Sequence, residues 1–196
     1  AGAPGYDRTD VGFQTLGMVQ ATHETPESFI PAEKYQLIHA AAMEMCDARD
    51  GLADGLISDP VACDFDPGVL QCSSSDSGAC LTEPQVVAAR EIYATIVDPR
   101  NGEVLTAGLE PGSELHWGAV AGRIPNPMYS SIFQHVVYPE QDWDFRSLDV
   151  AADLDAARAA DGGILAAVSP DLEPFISRGG RLLMYHGWAD QNIPPL

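Results

Sequence analysis

Four cysteines, at positions 46, 63, 72 and 80, fall inside one 35-residue stretch of a 196-residue chain. Nothing else in the sequence restricts its folding so tightly. No Cys-x-x-Cys pair occurs, so a zinc ribbon or a thioredoxin-like motif has no support. Pairing of neighbours would give Cys46–Cys63 and Cys72–Cys80, two short loops worth about 2–3 kcal/mol each through the unfolded state. The even count permits three connectivities, and four free thiols remain open as well. Disulfides would place the chain in an oxidising compartment, secreted or periplasmic. The start, Ala1-Gly2-Ala3-Pro4, carries neither the basic nor the apolar region of a leader. We therefore expect a removed leader or an internal piece of a longer chain.

Charge narrows the partners. Ten Lys and Arg against 29 Asp and Glu give a formal net charge of −19, which argues against nucleic acid and anionic membrane surfaces. Hydrophobic residues at 45% can sustain a folded core, and no apolar run approaches the roughly 20 residues of a membrane span.

Pro31 starts a predicted helix on which Tyr35, Ile38, Ala42 and Met45 recur at helical spacing, ending near Cys46. Thr82 is a candidate N-cap for a second helix, with Val86, Ala89, Ile92 and Tyr93 along one face. Asp98-Pro99-Arg100-Asn101-Gly102 predicts a turn, with Val104 and Leu105 returning as a strand. The Ser-rich patch at 73–78 reads as a loop tethered between two cysteines. Residues 111–139 read as long loops with short helices. After Trp143 the spacing of Leu148, Ala151, Leu154 and Ala157 predicts a helix, and Leu172, Phe175 and Ile176 predict another. Residues 181–185, Arg-Leu-Leu-Met-Tyr, read as a buried strand of a parallel sheet. The polar loop that follows ends in Asp190, just beyond a strand's carboxyl end, where α/β sheets place functional groups. Residues 1–5 read as the tail of another strand.

The sharpest local motif is Asp47-Ala-Arg-Asp50-Gly-Leu52-Ala-Asp54-Gly-Leu56. Three carboxylates at spacings of three and four, two of them followed by glycine, suit a hard cation such as Ca²⁺, with the carbonyls of Leu52 and Leu56 turned inward. It is not an EF-hand loop, and a bare Asp/Gly turn is the alternative. Such an ion would be structural. No Gly-x-Ser-x-Gly elbow is present. His39 reads as a packing or surface residue and His186 as a satisfied loop histidine, so no Ser–His–acid triad can be assembled from this chain alone.

Taken in order, several motifs resemble the tannase and feruloyl esterase family, secreted α/β-hydrolases that cleave phenolic-acid esters. They are Ile-Pro-x-x-Lys-Tyr at 30–35, Cys-Asp-x-x-Asp-Gly-x-x-Asp-Gly at 46–55 and Phe-Asp-Pro-x-x-Leu-x-Cys at 65–72. Pro-Gly-Ser-Glu at 111–114, Asp-Gly-Gly-Ile-Leu at 161–165 and the run from Gly179 to Pro195 complete the set. The resemblance implies that Asp190 is the acid of a catalytic triad. It also implies structural Ca²⁺ on the side chains of Asp47, Asp50 and Asp54 and the carbonyls of Leu52 and Leu56, and the disulfides Cys46–Cys63 and Cys72–Cys80. Trp117, Arg123 and Phe133 are residue types that could contact the phenolic half of a substrate.

The implied fold class is α/β, a partial α/β-hydrolase core with an inserted, mostly helical and loop-rich lid. Residues 1–22 would end the first core segment, 23–145 would form the lid, and 146–196 would return to the core. The family's nucleophilic serine would precede residue 1 and its histidine would follow residue 196. The chain is therefore expected to be inactive alone and to act with flanking segments of the same hydrolase. A non-catalytic, calcium-stabilised aromatic-binding module and a Ca²⁺-dependent glycosidase fragment are the alternatives.

Overall fold

In the computed structural model, which describes residues 1–75 and 77–196, helices dominate and one two-stranded sheet is present. Helix α1 (Arg8–His23) opens on Asp7, whose Oδ1 accepts the N–H groups of Thr9 and Asp10 at 2.9 and 3.1 Å. No helix was expected at 8–23. Its apolar periodicity is masked because Gln14, Thr15 and Thr22 are buried along with Phe13, Leu16, Met18 and Val19, so polar residues face protein on several sides. Gly17 lets it pass close to the sheet: a Cβ there would lie 3.1 Å from the Ile96 Cδ1.

Helix α2 (Ala32–Cys46) starts directly after Pro31 and buries Tyr35, Ile38, Ala42 and Cys46, matching the predicted face. Helix α3 (Glu83–Tyr93) buries Val86, Ala89 and Ile92, and the Thr82 N–H donates to Gln85 Oε1 at 3.1 Å to open it. Gln85 also accepts from Lys34 Nζ at 2.7 Å and donates to the Phe29 carbonyl, locking α3 against the start of α2. Strands β1 (Ile96–Val97) and β2 (Val104–Thr106) form the expected antiparallel hairpin. Arg100 in its turn grips Asp98 and, at 2.6 Å, Asp155. That fork draws Asp98 down to about 2, chiefly through the guanidinium hydrogen bonds, and ties the hairpin to helix α5 (Val150–Asp161).

Residues 111–139 hold only short helical turns, including α4 (Gly118–Ala121). Helix α5 caps on Asp149 and buries Leu154 and Ala157, as its spacing predicts, and the second apolar spacing becomes the one-turn α6 (Glu173–Ile176). The Ser-rich loop is described except at Asp76, which lies outside the described residues. Both neighbour disulfides are formed, Cys46–Cys63 and Cys72–Cys80.

The apolar side chains gather into two clusters. One surrounds Trp117, whose ring meets Tyr93 and Tyr35 edge-on at 5.0 and 5.7 Å. The other surrounds Phe133, packed edge-on to Phe13 at 5.3 Å and stacked on Trp143 at 5.0 Å. Helix α1 supplies Met18 and Val19 to the first cluster and Phe13 and Leu16 to the second.

One expectation is corrected. Residues 181–185 form no strand and are not buried: Leu183 is 78% and Tyr185 71% exposed. A strand at the centre of a parallel sheet needs neighbours on both edges and cover on both faces. Among the described residues its backbone partner is the N-terminal stretch, through a parallel bridge between Gly2 and Tyr185. The Ala3 N–H donates to Tyr185 O at 2.9 Å and the Tyr185 N–H to Ala1 O at 3.1 Å. Residues 1–3 therefore do lie strand-like, beside 185. No helix among the described residues is long and apolar enough to cross a membrane.

Candidate functional site

The loop after residue 185 is folded by its own aspartate. The Asp190 N–H donates to the Gly187 carbonyl at 3.2 Å, and Asp190 Oδ1 accepts the N–H groups of Asn192 and Ile193 at 2.9 and 3.1 Å. Such an Asx-type turn fixes a short side chain on the backbone. Asn192 is held in turn by the Tyr129 hydroxyl, which donates to its Oδ1 at 2.5 Å. One carboxylate oxygen of Asp190 is thus occupied by the turn, and the other is the one available to a further donor. The side chain is 23% exposed. A carboxylate pinned by one oxygen and offering the other can orient an imidazole and stabilise its protonated form.

His186 is not that imidazole. Its Nε2 donates to the Ile193 carbonyl at 2.9 Å and lies 3.8 Å from Asp190 Oδ2, beyond hydrogen-bond reach. It is the satisfied loop histidine that the sequence suggests. Among the described residues no serine hydroxyl is hydrogen-bonded to a histidine.

The acidic loop begins where α2 ends. Gly51 and Gly55 adopt φ of +97° and +84°, which glycine alone takes without strain. Asp47 Oδ1 accepts three N–H groups, from Asp54, Gly55 and Leu56, at 3.1–3.2 Å. Asp50 Oδ1 accepts from Leu52 N–H at 2.9 Å, and a hydrogen bond with Ser58, followed by that of Leu52, holds its carboxyl below the usual carboxylate range. Asp54 Oδ1 accepts from Leu56 N–H. The loop therefore closes on Asp47, and among the described residues no three His, Cys, Asp or Glu side chains converge as they would around a metal. The donor chemistry still suits a hard cation: the loop offers exposed carboxylates and backbone carbonyls, with no nitrogen or sulfur ligand. Cys46–Cys63 closes the loop at its base, and Arg49 Nη1 donates to the Ala62 carbonyl at 2.6 Å across it.

Two of the three residues expected against a substrate sit elsewhere. Trp117 and Phe133 are each 0% exposed, at the centres of the two apolar clusters, because large aromatics contribute most when fully buried. Only Arg123 reaches the surface, its guanidinium 5.8 Å from the Phe29 ring centroid.

A polar group that sequence reasoning missed lies under α2. Glu114 is fully buried, and its Oε1 accepts from the Tyr93 hydroxyl at 2.7 Å and the Gly112 N–H at 2.8 Å. Its Oε2 lies 2.8 Å from His39 Nδ1. Burial and the neighbouring carboxylate hold the Tyr93 phenol well above its ordinary value. Residues 39 and 114 stand 75 apart in sequence, and nothing local marks them as partners.

The fold is that of solved esterases. It superposes on feruloyl esterase B from Aspergillus oryzae with a TM-score of 0.90 at 28% identity, over 99% of this chain and 39% of that one. It matches the tannin acyl hydrolase of Aspergillus niger at 0.76 with 20% identity, a likeness of fold. The chain belongs to the tannase and feruloyl esterase family, whose profile matches residues 1–196. An uncharacterized esterase of Xanthomonas campestris pv. campestris is 35% identical over 213 residues, covering 100% of this chain and 37% of its own length. A "Probable feruloyl esterase B-1" of Aspergillus oryzae is 30% identical, with 98% and 36% covered. The chain thus spans a little over a third of the length of these relatives.

Proposed function

We propose that this chain is the lid-and-acid segment of a serine esterase that cleaves phenolic-acid esters of the gallate or ferulate type. The observation that carries the reading is Asp190, with one oxygen anchored by two backbone N–H groups and the other available. Family membership supplies the reaction class. In that reaction a serine oxygen attacks the ester carbonyl while a histidine takes its proton. The imidazolium returns that proton to the departing alcohol, and water then releases the acid by the reverse sequence. Asp190 contributes by accepting the imidazole N–H at its available oxygen. The serine and the histidine come from flanking segments of the same hydrolase. Residues 1–22 and 146–196 belong to the α/β-hydrolase core and 23–145 to the lid, and the two disulfides favour a secreted or periplasmic setting.

The test is a native mass followed by an assay. The protein as isolated should exceed the 20.9 kDa of this chain, resolve on denaturation into this chain plus other polypeptide, and hydrolyse methyl ferulate or methyl gallate. Hydrolysis of aryl glycosides but not aryl esters would overturn the reading, and so would a particle of the larger mass that is inert on both.

Calcium belongs to the same proposal, as a structural ion that neutralises crowded carboxylates. The side chains of Asp47, Asp50 and Asp54 and the carbonyls of Leu52 and Leu56 would hold it. Without it, three like charges share one exposed loop. At a free ion concentration near 100 times the dissociation constant, binding adds about 2.7 kcal/mol, which for a chain of this size is about 5–10 °C in Tm. Excess chelator should lower Tm by that amount and added Ca²⁺ should restore it. An unchanged melting curve would remove the ion from the proposal.

A further inference from the structure

Beneath the acidic loop lies a cavity of about 500 Å³, inside the range of small-molecule sites. Its walls come from four separate segments: His39 and Met43 of α2, Leu56 and Ile57 of the loop, Pro111 with Gly112, and Trp188 of the turn before Asp190. Asp190 itself is not among them. The lining is mostly apolar, and its polar side chains are Ser58, whose hydroxyl is engaged with Asp50, and the His39 imidazole. Glu114 fixes that ring: with three donors converging on the buried carboxylate, His39 Nδ1 is the nitrogen that gives up a hydrogen bond. A carboxylate behind an imidazole sets its tautomer and its direction. Nε2 is left as the ring nitrogen without a hydrogen-bond partner among the described residues, on a side chain still 24% exposed.

We propose that this cavity is a binding site for a neutral phenol, with the ring between Trp188 and the aliphatic side chains and the hydroxyl donating to His39 Nε2. Neutral imidazole with hydrogen on Nδ1 presents a lone pair at Nε2, so it selects a ligand with an O–H to give. The apolar walls select a ring rather than a polyol. The net charge of −19 disfavours a carboxylate occupant, which separates the site from one built for phenolic acids in their ionised form. The site takes no part in ester cleavage, and the inference does not rest on the esterase reading.

The probes are phenol and anisole, identical except that a methyl group replaces the donated hydrogen. Titrated into the protein as isolated and followed by Trp fluorescence and calorimetry, phenol should saturate and anisole should bind about tenfold more weakly, the size of one hydrogen bond. His39→Asn should weaken phenol to the level of anisole and leave anisole unchanged. Met43→Trp should narrow the cavity and weaken both probes. Asp190→Asn should leave phenol binding intact whether or not the esterase reading holds. Equal binding of the two probes would overturn the proposal, as would an unsaturable phenol titration or phenol binding that Met43→Trp leaves unchanged. If His39→Asn fails to fold, the probe pair on the unaltered chain still decides.

Discussion

Replacing Asp190 with Asn is expected to lower kcat on a phenolic ester about 10⁴-fold, the scale on which a triad fails when its acid can no longer accept from the imidazole. The assay requires the hydrolase with its serine- and histidine-bearing segments in place. The local structure predicts why the fold should survive the change. Asp190 Oδ1 is the atom that accepts from Asn192 and Ile193, and the amide oxygen of Asn can accept those same two N–H groups. What changes is the other position, where an NH₂ group stands in place of a carboxylate oxygen. An NH₂ cannot accept the imidazole N–H, so the histidine is left in the wrong tautomer. KM and Tm should therefore change little while kcat collapses. A loss smaller than tenfold would put the triad acid elsewhere.

The largest effect on stability should come from the first disulfide. Changing Cys46 and Cys63 together to Ala removes a cross-link over a separation of 17 residues, worth about 3 kcal/mol in the chain-entropy account. At roughly 2–4 °C per kcal/mol for a chain of this length, Tm should fall by about 6–12 °C. Ala avoids placing a hydroxyl at Cys46, which is 2% exposed within the core. The corresponding change at Cys72 and Cys80, separated by 8 residues, should cost less, about 2.5 kcal/mol. The first bridge also closes the base of the acidic loop, so its loss should make Tm insensitive to added Ca²⁺. Differential scanning calorimetry with and without the ion measures both quantities. A smaller loss for 46–63 than for 72–80 would contradict the loop-length argument.

What could be read from the sequence follows from how local each signal is. Helices α2 and α3 are legible because Pro31 and Thr82 mark their starts and one apolar face recurs at helical spacing. The hairpin is legible because its turn chemistry lies within five residues. Helix α1 is hidden: enclosed on several sides, it buries threonine and glutamine beside phenylalanine, and periodicity reports a helix only when one face is wet. The run at 181–185 has the composition of a central strand, yet burial depends on neighbours that composition does not contain. Asp190 is legible as a loop residue after an apolar run, but its anchored oxygen is a product of three-dimensional folding. The Glu114–His39–Tyr93 group is wholly non-local. Trp117 and Phe133 mislead for a simple reason, since the chemistry that suits stacking on a ligand equally suits stacking in a core.

Because α1 contributes side chains to both apolar clusters, neither can melt while the other keeps its full complement of neighbours. The helix acts as a shared axle. Damage at Phe13 is felt through the backbone at Val19, and the energetic boundary between the halves of the chain is blurred. Two clusters that share this helix should therefore melt together in one cooperative transition.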